Sequence, residues 1–354
     1  MHQFSKEFSN ELILWYLQHK RMLPWRKISN PYQIWLSEII LQQTRVAQGL
    51  PYYLKFLDAY PKVTDLARAS ETEVLKLWQG LGYYSRARNL HATAKMVSEE
   101  MNGVFPNNHK DLMKLRGVGD YTASAIASIC FNEVQAVVDG NVYRVLARIF
   151  GISTPTNTGI GKKQFKQLAQ ELIDKKQPGT FNQALMEFGS LYCIPQSPNC
   201  ENCIFKENCI AFKEKRVAEL PVKPKAIPIK KRYFNYLVTI SGTDHTLIQQ
   251  RLKKGIWHML YEFPLIETEM EVDIHNLVKL PQFMAFSKNN SIESISLFNE
   301  KSVIHELSHQ HLYTRFWIVY TLEDTNSSIP ISEINKYPVP VLIENFVAEF
   351  FETY

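Results

Sequence analysis

Two carboxylates and one run of cysteines carry most of the chemistry legible in this 354-residue sequence. Glu38 sits in PYQIWLSEIILQQT, where a helical pattern sets Ile34, Trp35, Ile39 and Leu41 around it. A carboxyl flanked by apolar side chains is poorly solvated, so its pKa should rise. Asp139, in VVDGNVYRVLARI, follows a short apolar run and stands where an N-cap would open the next helix. Backbone donors there should keep it ionised. One acid that holds its proton beside one carboxylate that does not is the pair glycosidic cleavage needs, because the leaving group must be protonated and the sugar cation stabilised. Taken singly, each residue also has a plain structural reading, Asp139 as a helix cap and Glu38 as the exposed edge of its helix.

Four of the five cysteines, Cys193, Cys200, Cys203 and Cys209, fall in CIPQSPNCENCIFKENC, residues 193–209. Disulfides, a zinc site and an iron–sulfur cluster are the three uses to weigh. The N-terminal MHQFSKEFSNEL has neither a basic n-region nor an apolar h-region, and no stretch approaches the roughly 20 apolar residues that span a bilayer. The chain is therefore expected in the cytoplasm, where thiols stay reduced and closely spaced cysteines serve as ligands more readily than as bridges. Four thiolates suit zinc too, but zinc sites usually pair their cysteines as two CxxC knuckles and only one is present. Cys130, in a helix of small apolar residues, is expected to be a buried core thiol. In LRGVGDYTASAI, residues 115–126, Gly117 and Gly119 separate two helical patterns. Such a tight turn frees the amides of the second helix to hold a DNA phosphate without reading a base, although an ordinary helix–helix turn fits the same residues.

The elements that must position these groups change character along the chain. Up to about residue 216 apolar residues recur at three- and four-residue spacing, as in ELILWYLQ and NVYRVLARIFG, and predict an all-α region. VAELPVKPKAIPIKKR, residues 217–232 with prolines at 221, 224 and 228, reads as a basic extended linker. Strand-like runs follow in YFNYLVTI, HTLIQQR and RFWIVYTL, with a hairpin-like SGTDH between the first two and a closing amphipathic helix in PVLIENFVAEFFETY. The expected organisation is a helical region over 1–216, a linker over 217–232 and an α+β domain over 233–354. Charge divides at the same place. Residues 1–232 carry 32 Lys and Arg against 20 Asp and Glu, whereas 233–354 carry 8 against 15. The basic first part suits a polyanionic partner, with a merely solvated basic face as the alternative.

Together, the GxG hairpin, an Asp 20 residues after its second glycine, and the spacing C-x6-C-x2-C-x5-C resemble the helix-hairpin-helix DNA glycosylases that carry a 4Fe-4S cluster. Within that endonuclease III superfamily the chain is most similar to the A/G-specific adenine DNA glycosylases, through LPWR at 23–26, SEIILQQTRV at 37–46, GLGYYSRARNL at 80–90 and VDGNVYRV at 138–145. The resemblance implies that Cys193, Cys200, Cys203 and Cys209 hold a 4Fe-4S cluster. Bifunctional relatives carry a lysine in the hairpin that attacks the sugar; here Tyr121 stands at that position, which implies a monofunctional glycosylase that leaves an abasic site. It further implies that Glu38 protonates adenine N7 and later activates water, that Asp139 stabilises the oxocarbenium-like sugar, and that Tyr121 and Asn141 support the pair. Trp25, Arg26 and Leu41 would line the pocket for the flipped adenine. Gln43 and Tyr83 would enter the space the base vacates, beside Gln42 and Thr44, with core packing as the plain reading of Tyr83. Gly117, Val118 and Gly119 would follow the phosphate backbone around a bound monovalent cation.

Residues 233–354 are similar to the Nudix-like recognition domain of these enzymes, on GIWHMLYEFP at 255–264 and HELSHQHL at 305–312. No REx(x)EE-type Nudix box occurs, so nucleotide hydrolysis is not expected. The family's Phe-Ser-His probe of 8-oxoguanine is replaced by Leu307, Ser308 and His309; leucine supplies apolar bulk but cannot stack as an aromatic does. Ser308 is then the expected hydrogen-bonding partner of the oxidised base. A metal cluster of His305, His309 and His311 on one strand face is the competing reading of that run. Duplex DNA with 8-oxoguanine:A or G:A mispairs is the expected partner, bound by a monomer associated with the nucleoid. Two other functions fit the fold: a bifunctional thymine-glycol-type glycosylase, and a non-catalytic DNA-binding module whose cluster senses redox state.

Overall fold

The computed structural model describes residues 2–222, 228–324 and 327–351. Pro224 of the linker and the last three residues of the C-terminal helical run lie outside them. The chain divides into two compact units, one formed by Met1–Arg68 and Asn89–Lys225, the other by Ala69–Arg88 and Ala226–Tyr354.

The first unit is helical. Pro31–Leu41 starts where the Asn30 side chain accepts from the Gln33 amide and Pro31 sets the first helical φ. Ile34, Trp35, Leu36, Ile39 and Ile40 are all buried, so apolar residues cover most of its circumference and the helix runs through the interior. It packs against Asp120–Phe131, whose Ala123, Ser124, Ala125, Ala127 and Ser128 are buried and small enough for close approach. Gly140–Ile149 buries Val142, Val145, Leu146 and Ile149 against Pro178–Leu191, which contributes Phe181, Ala184, Leu185 and Phe188. The same core takes Phe8 and Trp15 from His2–His19 and Phe205 from the cysteine-rich loop, with Phe8 stacked on Phe205 at 4.8 Å. Each such ring fully withdrawn from water contributes roughly 1.5–3 kcal/mol, so this loop is tied to the main core.

The second unit is built on a five-stranded mixed sheet. Lys230–Ser241 and Gln310–Thr321 run parallel in register from Lys230 with Gln310 to Ser241 with Thr321. Leu265–Thr268 flanks the first of these; Ile292–Leu297 and Val303–Leu307 both pair antiparallel with the second. The central strands are buried on both faces. One face packs Leu237, Trp317 and Val319 against Leu277 and Phe283; the other sets Phe316 on Phe346 of the Val341–Phe351 helix, ring to ring at 4.0 Å. Near-continuous apolar runs such as FNYLVTI follow from this double covering.

SGTDH turns the chain but does not make the expected hairpin. His245–Leu247 leaves the first strand and pairs with Ser328–Pro330. Its return toward the sheet is held by a side chain instead, the Leu247 amide donating to Thr239 Oγ1 at 2.8 Å. Residues 69–88 belong to this second unit, where Lys76 Nζ donates to Tyr337 O at 3.3 Å and Arg88 Nη1 to His258 O at 2.7 Å.

Candidate active site

A cavity of about 650 Å³ in the first unit gathers Glu38, Tyr121, Asp139 and Asn141, with Trp25, Arg26 and Leu41 in its walls. Glu38 projects from the apolar Pro31–Leu41 helix. Part of its surface opens to the cavity, but protein surrounds it, and that burial raises its pKa. A hydrogen bond from Tyr121 and the Arg26 charge offset part of the rise, and Asp139 adds to it. Tyr121 is the second residue of the Asp120–Phe131 helix. Its hydroxyl also reaches Met186 Sδ at 3.4 Å, and burial beside Glu38 and Asp139 lifts its pKa well above the ordinary value.

Asp139 is the N-cap of Gly140–Ile149: Oδ1 accepts from the Val142 amide at 2.7 Å and Oδ2 from Asn141 Nδ2 at 2.9 Å. The expected donors are therefore present, but they do not win. Desolvation outweighs them and the Asp139 pKa is raised rather than held down. What separates the two acids is donor count: Asp139 accepts from Val142 and from both the side chain and backbone of Asn141, whereas a single hydroxyl reaches Glu38.

Around this pair, Trp25 is buried edge-on against Tyr53 at 5.0 Å, and Leu41 ends the Glu38 helix. Gln43 lies exposed on the rim with φ +55°, a conformation costly for a non-glycine residue. Gln42 Nε2 donates to Thr122 Oγ1 at 3.2 Å and Thr44 Oγ1 to Gln42 O at 3.3 Å, which fixes the turn that carries Gln43. Glu187, which sequence reasoning did not single out, reaches the same cavity from Pro178–Leu191 and accepts from Arg21 and Arg26. In ALMEFG it reads as one polar position of an amphipathic helix, and its only signal was an acid flanked by apolar residues.

In the hairpin, Gly117 has φ +75° and its Cβ position lies 2.7 Å from Asn89 Cβ, so only glycine fits. Gly119 is the N-cap of Asp120–Phe131 and faces open space. Val118 points inward, buried, and its amide donates to Leu115 O, so it anchors the turn and its N–H does not face outward.

The four loop cysteines line one cavity together with Arg148, Phe188 and Phe212, and none is bridged. Arg148 Nη1 approaches Cys193 Sγ at 3.5 Å and the Phe205 amide approaches Cys203 Sγ at 3.4 Å, donors suited to sulfur that carries negative charge. Among the described residues no three of His, Cys, Asp and Glu are close enough to share one ion. Four thiols lining one cavity are the donor set that a thiolate-held metal or iron–sulfur group takes. The loop is also wired to the cavity: Arg144 donates from Nε to Cys193 O at 2.8 Å and from Nη2 to Asn141 Oδ1 at 2.9 Å, and Asn141 holds Asp139. Cys130 is only partly buried, because its helix ends one residue later; desolvation still pushes its thiol up to about 12.

In the second unit Tyr83 is exposed with φ +48° while Tyr84 is buried, so one tyrosine of the pair faces outward. Its hydroxyl lies 2.6 Å from Ser308 Oγ. Leu307 ends a strand and Ser308 and His309 form the exposed turn to the next. That turn breaks the alternation expected to align the histidines: His305 packs on the Trp257 ring at 5.6 Å and His311 lies beyond the turn.

Residues 36–175 match the HhH-GPD superfamily base excision DNA repair protein family, and residues 235–349 match the NUDIX domain family. An adenine DNA glycosylase of Buchnera aphidicola subsp. Baizongia pistaciae is 33% identical over 88% of this chain and 86% of its own length. The chain belongs to the adenine DNA glycosylase family. The Mus musculus member is 44% identical over 61% of this chain but only 44% of its own length. A thermostable thymine-DNA glycosylase of known structure shares 31% identity with a TM-score of 0.55, over 59% of this chain and 97% of that one. The family's two parts correspond to the observed architecture, a helical glycosylase domain followed by a mixed α/β Nudix-like domain. No helix among the described residues is long and apolar enough to cross a membrane.

Proposed function

We propose that this protein removes adenine from duplex DNA by hydrolysis of its N-glycosidic bond, acting on adenine opposite 8-oxoguanine and opposite guanine, in base excision repair. The observation that carries the reading is the meeting of Glu38, Tyr121 and Asp139 in one cavity large enough for a flipped base. Glu38, whose raised pKa favours its protonated form, gives its proton to adenine N7 as the C1′–N9 bond breaks and its electrons pass to the base. Asp139, pinned by three donors, faces the sugar cation. Water then adds at C1′, returns a proton to Glu38 and leaves an abasic sugar. Tyr121 offers no amine, so strand cleavage through a Schiff base has no nucleophile at this position. Trp25, Arg26 and Leu41 hold the extruded base, while Gln43 and Tyr83 fill the gap it leaves.

Cys193, Cys200, Cys203 and Cys209 would hold a 4Fe-4S cluster, which supplies a rigid anionic cross-link to the loop. Gly117 and Gly119, with the helix that opens at Asp120, would grip a phosphate and a monovalent cation. Leu307, Ser308 and His309 would meet the strand opposite adenine, with Ser308 bonding the oxidised base. The organisation proposed is a helical catalytic region over 1–216, of which residues 69–88 pack in the second unit, a linker over 217–232 that is anchored by the buried Leu220 and opens the first strand at Lys230, and a recognition domain over 233–354, working as a monomer. Glu38→Gln should abolish adenine release while duplex binding persists; excision that survives would remove Glu38 as the acid. Borohydride should trap no covalent complex at the level of a lysine lyase, and efficient trapping would favour the bifunctional reading.

A further inference from the structure

Arg26 presents a difficulty for the proposed acid. Its side chain is 10% exposed, its guanidinium lies over the Tyr16 ring at 5.6 Å, and its charge acts on both Glu38 and Tyr121. A buried guanidinium free to turn toward Glu38 would pair with it, and the pair would exist only after Glu38 had lost its proton. Glu187 prevents this. Its side chain is fully buried, Oε2 accepts from Arg26 Nη2 at 3.0 Å and from Arg21 Nη2 at 2.6 Å, and Oε1 accepts from the Arg21 amide at 3.0 Å and from Arg21 Nε at 2.9 Å.

We propose that Glu187 is a positioning residue for the glycosylase reaction: it binds Arg26 away from Glu38, so that the acid keeps its proton and Arg26 serves the base. Four donors on one carboxylate leave Glu187 no freedom to move, and Arg21 supplies the second cation that compensates its burial. Burial pushes the Glu187 carboxyl up, and the two guanidiniums more than offset this, so it lies below the ordinary value and stays charged. Held this way, Arg26 keeps Nε–H buried with no acceptor among the described residues. A donor left over in a cavity wall is suited to a ring nitrogen of the purine, because filling it removes an unsatisfied buried group. The other groups that act on Glu38 are Tyr121 and Cys130 from Asp120–Phe131 and Asp139 from the start of Gly140–Ile149. None of them is hydrogen-bonded to Glu187, so changing Glu187 acts on Glu38 through Arg26 and through its own charge.

The inference rests on Glu38 being the acid, and its test separates the two. Single-turnover adenine excision is measured from about pH 5 to 9 for the wild type, Glu187→Gln, Glu187→Asp, Arg26→Met and the Arg26→Met/Glu187→Gln double variant. Protonated Glu38 is required, so rate falls as pH rises through its pKa. Glu187→Gln removes a negative charge and frees Arg26, so that alkaline limb should move to lower pH; Arg26→Met should move it to higher pH, the double variant should return toward the wild type, and Glu187→Asp should rescue. A wild type that releases no adenine defeats the glycosylase reading itself. A wild type that does, with Glu187→Gln lowering rate equally at every pH or Arg26→Met leaving the limb in place, overturns the role of Glu187. Should Glu187→Gln fail to fold, the upward shift in Arg26→Met still decides, since its absence means that Arg26 has no hold on Glu38.

Discussion

At the scale of single residues, the two acids differ in what surrounds them, and their substitutions should differ accordingly. Glu38 has a pKa raised by burial, so its folded form binds protons more tightly than the unfolded chain. Its contribution to stability is present below the ordinary carboxyl pKa and is lost as pH rises through the raised one. Glu38→Gln removes that loss. The variant should therefore melt higher than the wild type at pH 7 to 8, with the gain shrinking toward pH 4, while its excision activity is gone. A melting temperature lowered at neutral pH would mean that Glu38 is held charged. Asp139 does structural work as a cap in addition to its proposed chemistry. Asparagine keeps the bond from the Val142 amide but turns its own NH2 toward Asn141 Nδ2, so Asp139→Asn should cost about 1 kcal/mol, as should Asp139→Ala, which loses the cap. Both should lose on the order of 10²- to 10³-fold in single-turnover excision, the scale on which a transition-state contact is worth. A fast Asp139→Asn enzyme would leave Asp139 only its cap.

At the scale of elements, the hairpin separates fold from ligand. Gly117→Ala puts a Cβ against Asn89 at a positive φ and should destabilise by about 1–2 kcal/mol in a denaturant titration. Gly119→Ala meets open space at an ordinary φ and loses only the capping preference of glycine over alanine, so it should cost less than about 1 kcal/mol and weaken duplex binding. Equal binding by both proteins would place the phosphate elsewhere. Much of this scale was legible in sequence. The 3.6-residue patterns marked the helices around Glu38 and Asp139, the GxG marked the hairpin, and the Asp-Gly after an apolar run marked the cap. Three things were not. Glu187 and Arg26 meet through a contact 161 residues long in sequence, and nothing in ALMEFG announces an ion pair. The departure of His245–Leu247 from the first strand is decided by a partner strand more than 80 residues later. The balance at Asp139 depends on how much protein covers it, which a sequence motif does not contain.

At the scale of the whole molecule, the charge division and the cysteine loop make separate claims. Residues 1–232 carry an excess of basic residues, so duplex affinity should fall steeply with salt, on the order of 10³-fold between about 50 and 200 mM if six phosphates are contacted. A flat salt dependence would contradict a DNA-gripping face. Cys193, Cys203 and Cys209 share a core with Phe8 and Phe188, Cys200 lines the same small cavity, and Cys193 connects through Arg144 to Asn141. Cys200→Ser should thus cost folding and DNA affinity before chemistry, and a variant that loses iron–sulfur absorbance yet binds duplex normally would show the cluster dispensable for recognition. Ser308→Ala should reduce the preference for 8-oxoguanine over guanine by on the order of fivefold, the worth of one hydrogen bond. An unchanged ratio would move the probe of the oxidised base away from that turn.

The most direct test is a single-turnover assay on duplexes that hold adenine opposite 8-oxoguanine, guanine, cytosine or thymine, scored for free adenine and for strand breaks. Adenine should leave fastest opposite 8-oxoguanine, more slowly opposite guanine and negligibly opposite the pyrimidines, with strands intact until the abasic sites are cleaved by alkali. Release that ignores the opposing base, or strand cleavage concurrent with base loss, would contradict a monofunctional, mismatch-reading adenine glycosylase.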